Sequence, residues 1–254
     1  MQRRYFIKKL KTHPNIGSDG EVFQGKRWGM KTRTFKKTSA EMTRVLHERC
    51  NKKENYTHAG FKWMTSQHIV KEPARMTAWL VETQTKLLFL WRRSLLRQHI
   101  SDLVNHLDGS RAHASSHAEA ASIAKVTVKL KTGRFLVHQL ERILKARSHA
   151  AAYYRTVPSA TFYYEDAIES SGDYNQTWSS ILTFLGAPDV ALSIITDSVV
   201  IHTNKPILYS VSNAQQVRHS MRQICSTKKG LRYGNTCDEL GWGLAGHSNT
   251  KEKL

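Results

Sequence analysis

The chain has 254 residues, 40% of them hydrophobic, and 39 Lys/Arg against 20 Asp/Glu for a formal net charge of +19. That length and apolar content support a globular domain with a core and exclude a disordered polar chain. The charge favours polyanions, phosphates or sulfates as partners, and it is uneven: residues 1–53 hold 15 Lys/Arg against 4 Asp/Glu, a net of +11. No uncharged apolar run approaches the roughly 18–20 residues of a membrane span; the longest, Val190 to Ile201, is interrupted by Asp197. Residues 1–12 hold no apolar segment of a secretory signal. Cys50, Cys225 and Cys237 form no C-x-x-C pair, so a zinc ribbon or disulfide scaffold is not expected. They read mainly as free thiols, with a single Cys225–Cys237 bridge left open.

Along the chain, Tyr5, Phe6 and Leu10 recur at helical spacing in residues 1–12, and His13-Pro14-Asn15 ends that helix. Residues 24–57 are basic and polar, with a helix near 39–50. Three short apolar runs read as strands: 59–64, 86–91 and 160–164. Runs of this kind suit strands covered on both faces, as in a parallel sheet. Helical patterns lie at 74–84, 95–107, 133–155 and 174–185, the last stopped by Gly186 and Pro188. Strands alternating with helices predict an α/β fold with a parallel sheet flanked by helices. Residues 109–118 read as a loop. Residues 1–226 are expected to form one α/β domain, with 227–254 a polar, loosely packed tail.

The segment with the sharpest chemical content is Leu88-Phe89-Leu90-Trp91-Arg92-Arg93, followed by a helix that carries Ser101. A buried strand ending in arginines places a bidentate anion clamp where open α/β sheets bind ligands, beyond the carboxyl ends of their strands. The bland alternative is a solvated helix start.

This segment resembles the 3′-phosphate-binding stretch of sulfotransferases that use 3′-phosphoadenosine 5′-phosphosulfate, where a strand ends in an arginine and a serine follows eight positions later. Arg93 and Ser101 stand in those places. Four other stretches are similar in the same order. Leu10 to Ile16 with Gly20-Glu21-Val22-Phe23 resembles the end of the family's first helix and the turn after it. Gly60 to Met64 resembles its second strand. Tyr164-Glu165-Asp166 resembles the Tyr-Glu-Asp after a later strand. His202 and Lys205, within Ile201 to Pro206, and the helix after Val211-Ser212-Asn213 resemble the nucleotide-closing segment of the carbohydrate and nodulation-type branch. The likeness covers about residues 5–222.

The resemblance implies a P-loop-like nucleotide-binding fold and transfer of a sulfuryl group from that nucleotide to a hydroxyl acceptor, with a carbohydrate as the expected acceptor. It further implies Glu21 as the base that takes the acceptor's proton, Arg93, Ser101, His202 and Lys205 as nucleotide contacts, and Tyr164 as a stacking surface for adenine. Each has an ordinary alternative: a surface carboxylate, a solvated loop, a core aromatic. One departure stands out. The family's first strand and its Arg-Ser-Gly-Ser/Thr loop, whose backbone N–H groups wrap the 5′-phosphosulfate, have no counterpart in the 254 residues. The expectation is therefore weak nucleotide binding and negligible turnover. Golgi residence would follow only from the resemblance.

Two rival readings are a non-catalytic relative that retains a nucleotide or partner surface, and a basic module that binds RNA or another polyanion through residues 1–53, with Tyr5, Phe6, Phe23, Trp28 and Phe35 available for base stacking. No nucleic-acid motif accompanies the latter. Asn55-Tyr56-Thr57 and Asn175-Gln176-Thr177 are glycosylation sequons. The thirteen histidines, His113 and His117 included, lack a carboxylate or cysteine frame, so no metal site is expected.

Overall fold

The computed structural model describes residues 2–21, 39–40, 42–44, 46–48, 56–62, 73–107, 127–167, 172–190, 208–226, 233 and 236–237. They form helices α1 (Gln2–Leu10), α2 (Pro73–Glu82), α3 (Leu95–Leu107), α4 (Arg134–Tyr153), α5 (Tyr174–Leu185) and α6 (Ala214–Cys225). The strands are β1 (Ile16–Glu21), β2 (His58–Lys62), β3 (Leu87–Trp91) and β4 (Ser159–Tyr163). Residues 39–40, 42–44 and 46–48 are also helical. The α/β character and the parallel strands agree with the sequence. The strands, however, form two separate parallel pairs, β1–β2 and β3–β4.

The chain divides into two compact units: residues 1–91 with 146–198, and residues 92–145 with 199–254. Both strand pairs belong to the first. There β3 alternates its side chains between two faces. Leu88 and Leu90 pack with Phe162 against a cluster of Phe6, Leu10, Ile16, Trp178, Ile181 and Leu182. Leu87 and Phe89 pack against Met76, Leu80, Tyr154 and Val157. This two-sided burial is why the strand sequence is apolar throughout rather than alternating. Phe6 stacks on Trp178 with ring centroids 4.9 Å apart, so α1 docks through Phe6.

Glu21 was expected in a turn after the first helix, yet Ile16–Glu21 is a strand. Its composition, Ile-Gly-Ser-Asp-Gly-Glu, has little strand propensity, and its neighbours hold it extended. Ser18 donates its hydroxyl to the Ile7 carbonyl at 3.2 Å. Gly17 lies so close to the Tyr56 ring that a Cβ would stand 2.7 Å from its Cδ2. The register shifts between Asp19 and Glu21, which pair with Phe61 and Lys62, leaving Gly20 as the extra residue of a bulge. At the end of α1, His13 accepts the Asn15 N–H at Nδ1 (3.1 Å), which leaves its Nε2–H to donate to the Pro188 carbonyl (3.0 Å).

The end of α5 has every orphan carbonyl satisfied. Gly186 adopts φ 78°, and its N–H and that of Ala187 return to Thr183 and Leu182, a Schellman arrangement. Lys86, just before β3, donates its ammonium to Phe184 and Leu185 at 2.9 Å each. A cation at a helix C-terminus also opposes the helix dipole.

The second unit is built from α3, α6 and the first part of α4 around Leu96, Leu136, Leu140, Val217 and Met221. Val128 and Val211 form a parallel bridge. Asn213 clamps the backbone beside it: its side-chain oxygen accepts from the Leu130 N–H at 3.0 Å, and its amide donates to the Leu130 carbonyl at 2.8 Å.

Two expectations change here. Cys225 and Cys237, read mainly as free thiols, form a disulfide with Cα atoms 5.8 Å apart. Residues 227–254 were expected to be loosely packed, yet Tyr233, Thr236 and Cys237 are buried, two of them in the core cluster. A spacing of 12 residues offers no ligand-type motif, and burial is set by the core that the residues meet. Closing a loop of that size contributes about 3 kcal/mol in the chain-entropy account.

The end of α2 repeats the α5 geometry with a poorer residue. Thr85 and Gln84 return their N–H groups to Leu80 and Val81, and Gln84 sits at φ 50°. A side chain there meets the clash that glycine avoids. Gln84→Gly is expected to raise the unfolding free energy by about 1 kcal/mol. The check is a higher urea midpoint at constant m-value; an unchanged or lower midpoint contradicts it.

Candidate functional site

The parallel register brings the carboxyl ends of β3 and β4 side by side. Trp91 pairs with Tyr163, and the Tyr164 N–H donates to the Trp91 carbonyl at 2.8 Å. The chain then leaves β3 through Arg92 and Arg93, and Ser94 starts α3. Arg92 is half-buried and Arg93 exposed.

Serine is a preferred residue at a helix start because its oxygen can accept an otherwise orphaned amide. Here the Ser94 hydroxyl accepts the Arg97 N–H at 3.3 Å, and the Ser94 carbonyl accepts Gln98 at 3.1 Å. The Leu95 N–H donates to the Thr236 hydroxyl at 3.0 Å. Two first-turn amides of α3 are thus committed inside the protein. Those two amides are therefore already used and do not form the backbone N–H cradle that a helix start can offer an anion. Ser101, two turns into α3, is half-buried.

The other expected site residues fall as follows. Tyr164 is 2% exposed, so its ring is a core aromatic in this arrangement and its backbone is what lies at the strand ends. Glu21 ends β1 opposite Lys62, rather than in a turn, and its side chain lies outside the described residues. His202 and Lys205 lie outside the described residues, as do His113 and His117. Arg93 and Ser101 belong to the second unit, Glu21 and Tyr164 to the first.

Arg147 went unnoticed in the sequence. It follows Leu136, Leu140 and Leu144 at helical spacing, so it falls on the apolar stripe of α4, and a charge in such a stripe is the signal that would have found it. Its guanidinium lies over the Trp91 ring, 5.5 Å from the centroid. Burial lowers its affinity for a proton, while Tyr163 and Glu165 favour the charged form. A cation thus sits at the carboxyl ends of β3 and β4, stacked as arginine commonly is on indole.

Elsewhere, a cavity of about 770 Å³ opens between α2 and the end of α4, lined by Thr77, Val81, Tyr153 and Arg155 among others. It contains none of the expected site residues. Asn175 of the second sequon is exposed in the first turn of α5. Among the described residues there is no group of three or more His, Cys, Asp or Glu able to hold a metal ion, and no helix is long and apolar enough to cross a membrane.

No known protein family matches the chain, and neither do any curated protein or solved structure.

On α3, burial holds His99 below the ordinary imidazole value; Asp102 opposes this and Arg142 adds to it. The folded state therefore disfavours the protonated ring. As pH falls through about 6.5, the unfolded chain takes up its proton first, and the contribution to stability present above that pH is lost. Urea unfolding at about pH 7.5 and about pH 5 should show a smaller acid loss in His99→Gln than in the wild type. Equal losses in the two proteins refute the assignment.

Proposed function

We propose that the chain is a sulfotransferase-like protein that binds 3′-phosphoadenosine 5′-phosphosulfate, with a hydroxyl compound such as a carbohydrate as acceptor. The observation that carries this reading is the run from β3 through Arg92 and Arg93 into α3. A parallel strand covered on both faces ends in two arginines, Arg92 half-buried and Arg93 exposed, and Ser101 lies on the helix that follows. That is the chain order and spacing of the resemblance, now with the strand, the parallel pairing and the helix in support. Arg93 supplies a guanidinium fork suited to the 3′-phosphate, and Ser101 a hydroxyl donor.

The chemistry is an in-line displacement. The acceptor oxygen forms a bond to sulfur as the bond from sulfur to the 5′-phosphate oxygen breaks, and the bisphosphate leaves. The acceptor's proton passes to a base, for which Glu21 is the candidate. Catalysis of such a transfer rests on positioning and on stabilising charge on the leaving phosphate.

The RNA or polyanion reading retains the charge of residues 1–53 but loses one of its stacking residues. Phe6 is 6% exposed and spent against Trp178, and Lys9 is buried beside Tyr174 rather than offered to phosphates.

Titrating the full chain with 3′-phosphoadenosine 5′-phosphate by calorimetry tests the proposal. Weak, saturable binding is expected, and Arg93→Ala should weaken it by about tenfold or more, the scale of a charge-assisted contact. An unchanged titration in the variant would falsify the role of Arg93. Affinity for RNA with a steep salt dependence, and none for the nucleotide, would favour the rival reading.

A further inference from the structure

The start of α3 is held by a residue 141 positions away. The Leu95 N–H, the first amide of the helix, donates to the Thr236 hydroxyl at 3.0 Å in a buried contact. Thr236 is 1% exposed. Its neighbour Cys237 is bonded to Cys225, the last residue of α6, and both cysteines pack in one cluster with Leu95, Leu96 and Ile100. A polar contact this far apart in sequence persists only where both partners are fixed. Packing fixes Leu95, and the disulfide fixes the residue beside Thr236. All these residues belong to the second unit. Arg92 and Arg93 come directly before Ser94, which is fully buried and caps the same helix. The backbone that carries the two arginines is therefore tethered from its α3 side by Ser94 and by Thr236.

We propose that Thr236, anchored by the Cys225–Cys237 bond, is a positioning residue for the anion site at Arg93. It fixes where α3 begins, and with it the backbone from which Arg93 reaches the 3′-phosphate of the nucleotide. The proposal deepens the nucleotide-binding reading above and rests on it. It makes Thr236 and Cys237 part of the site's architecture. Thr236 makes no contact with the ligand; it acts through Leu95.

Three full-length variants test this: Thr236→Val, which keeps shape and removes the hydroxyl; Thr236→Ser, which keeps the hydroxyl; and Cys225→Ala with Cys237→Ala. Two quantities are read well below the unfolding temperature: amide hydrogen exchange at Leu95, and calorimetric affinity for 3′-phosphoadenosine 5′-phosphate. In Thr236→Val, exchange should rise and affinity fall by about fivefold each, the scale of one neutral hydrogen bond. Thr236→Ser should restore both. The double cysteine variant should move both in the same direction as Thr236→Val. Unchanged Leu95 exchange in Thr236→Val overturns the tether. Faster exchange with unchanged affinity overturns its link to the site, and a double cysteine variant with wild-type exchange overturns the role of the disulfide. A wild type that binds no nucleotide overturns the functional reading on which the link rests, while the Leu95 amide still decides the tether.

Discussion

Strand β3 presents an apolar side chain at every position, and both of its faces are occupied. Leu88 and Leu90 meet the cluster built on α1 and α5, whereas Leu87 and Phe89 meet the one built on α2 and the residues after α4. Each of these four side chains is partly buried, and together they join two clusters to one strand. Lys86, at the entrance to the strand, closes the end of α5. Among the described residues of the first unit, α1, α2 and α5 are thereby tied to a stretch of six residues.

The same strand decides where the charged residues stand. A strand packed on both sides cannot tolerate a guanidinium within it, so Arg92 and Arg93 come at the first positions where the apolar run ends. Pairing with β4 sets Tyr163 beside Trp91 and attaches Tyr164 by its backbone. Arg147 then covers the Trp91 ring. Beyond the arginines the controlling forces change: α3 starts where Ser94 and Thr236 accept its first amides. Sheet pairing thus precedes the two arginines, and a helix start held by the Ser94 and Thr236 hydroxyls follows them.

Much of this was legible because it is local. Five helices and three strands announce themselves by periodicity, by compact apolar runs, and by stop signals such as Gly186. The parallel character of the sheet followed from the lack of alternation in Leu87 to Trp91. What escaped notice depends on partners remote in sequence. β1 has no strand-like composition, and it is extended because β2, Ile7 and Tyr56 make it so. The burial of Tyr164 could not be told from an exposed stacking surface, since an aromatic at a strand end serves either purpose. Arg147 was visible in principle, as a charge on the apolar stripe of α4.

By itself the sequence determined the layered α/β character, the two-sided β3, and the placing of two arginines and a following helix at its end, because hydrophobic periodicity and local stop signals act within a few residues. Only the tertiary structure decided that the described strands form two separate pairs, that Cys225 bonds to Cys237, and that Thr236 caps a helix 141 residues away. Pairing partners, disulfides and long-range caps depend on which segments meet in space, and the core sets those meetings.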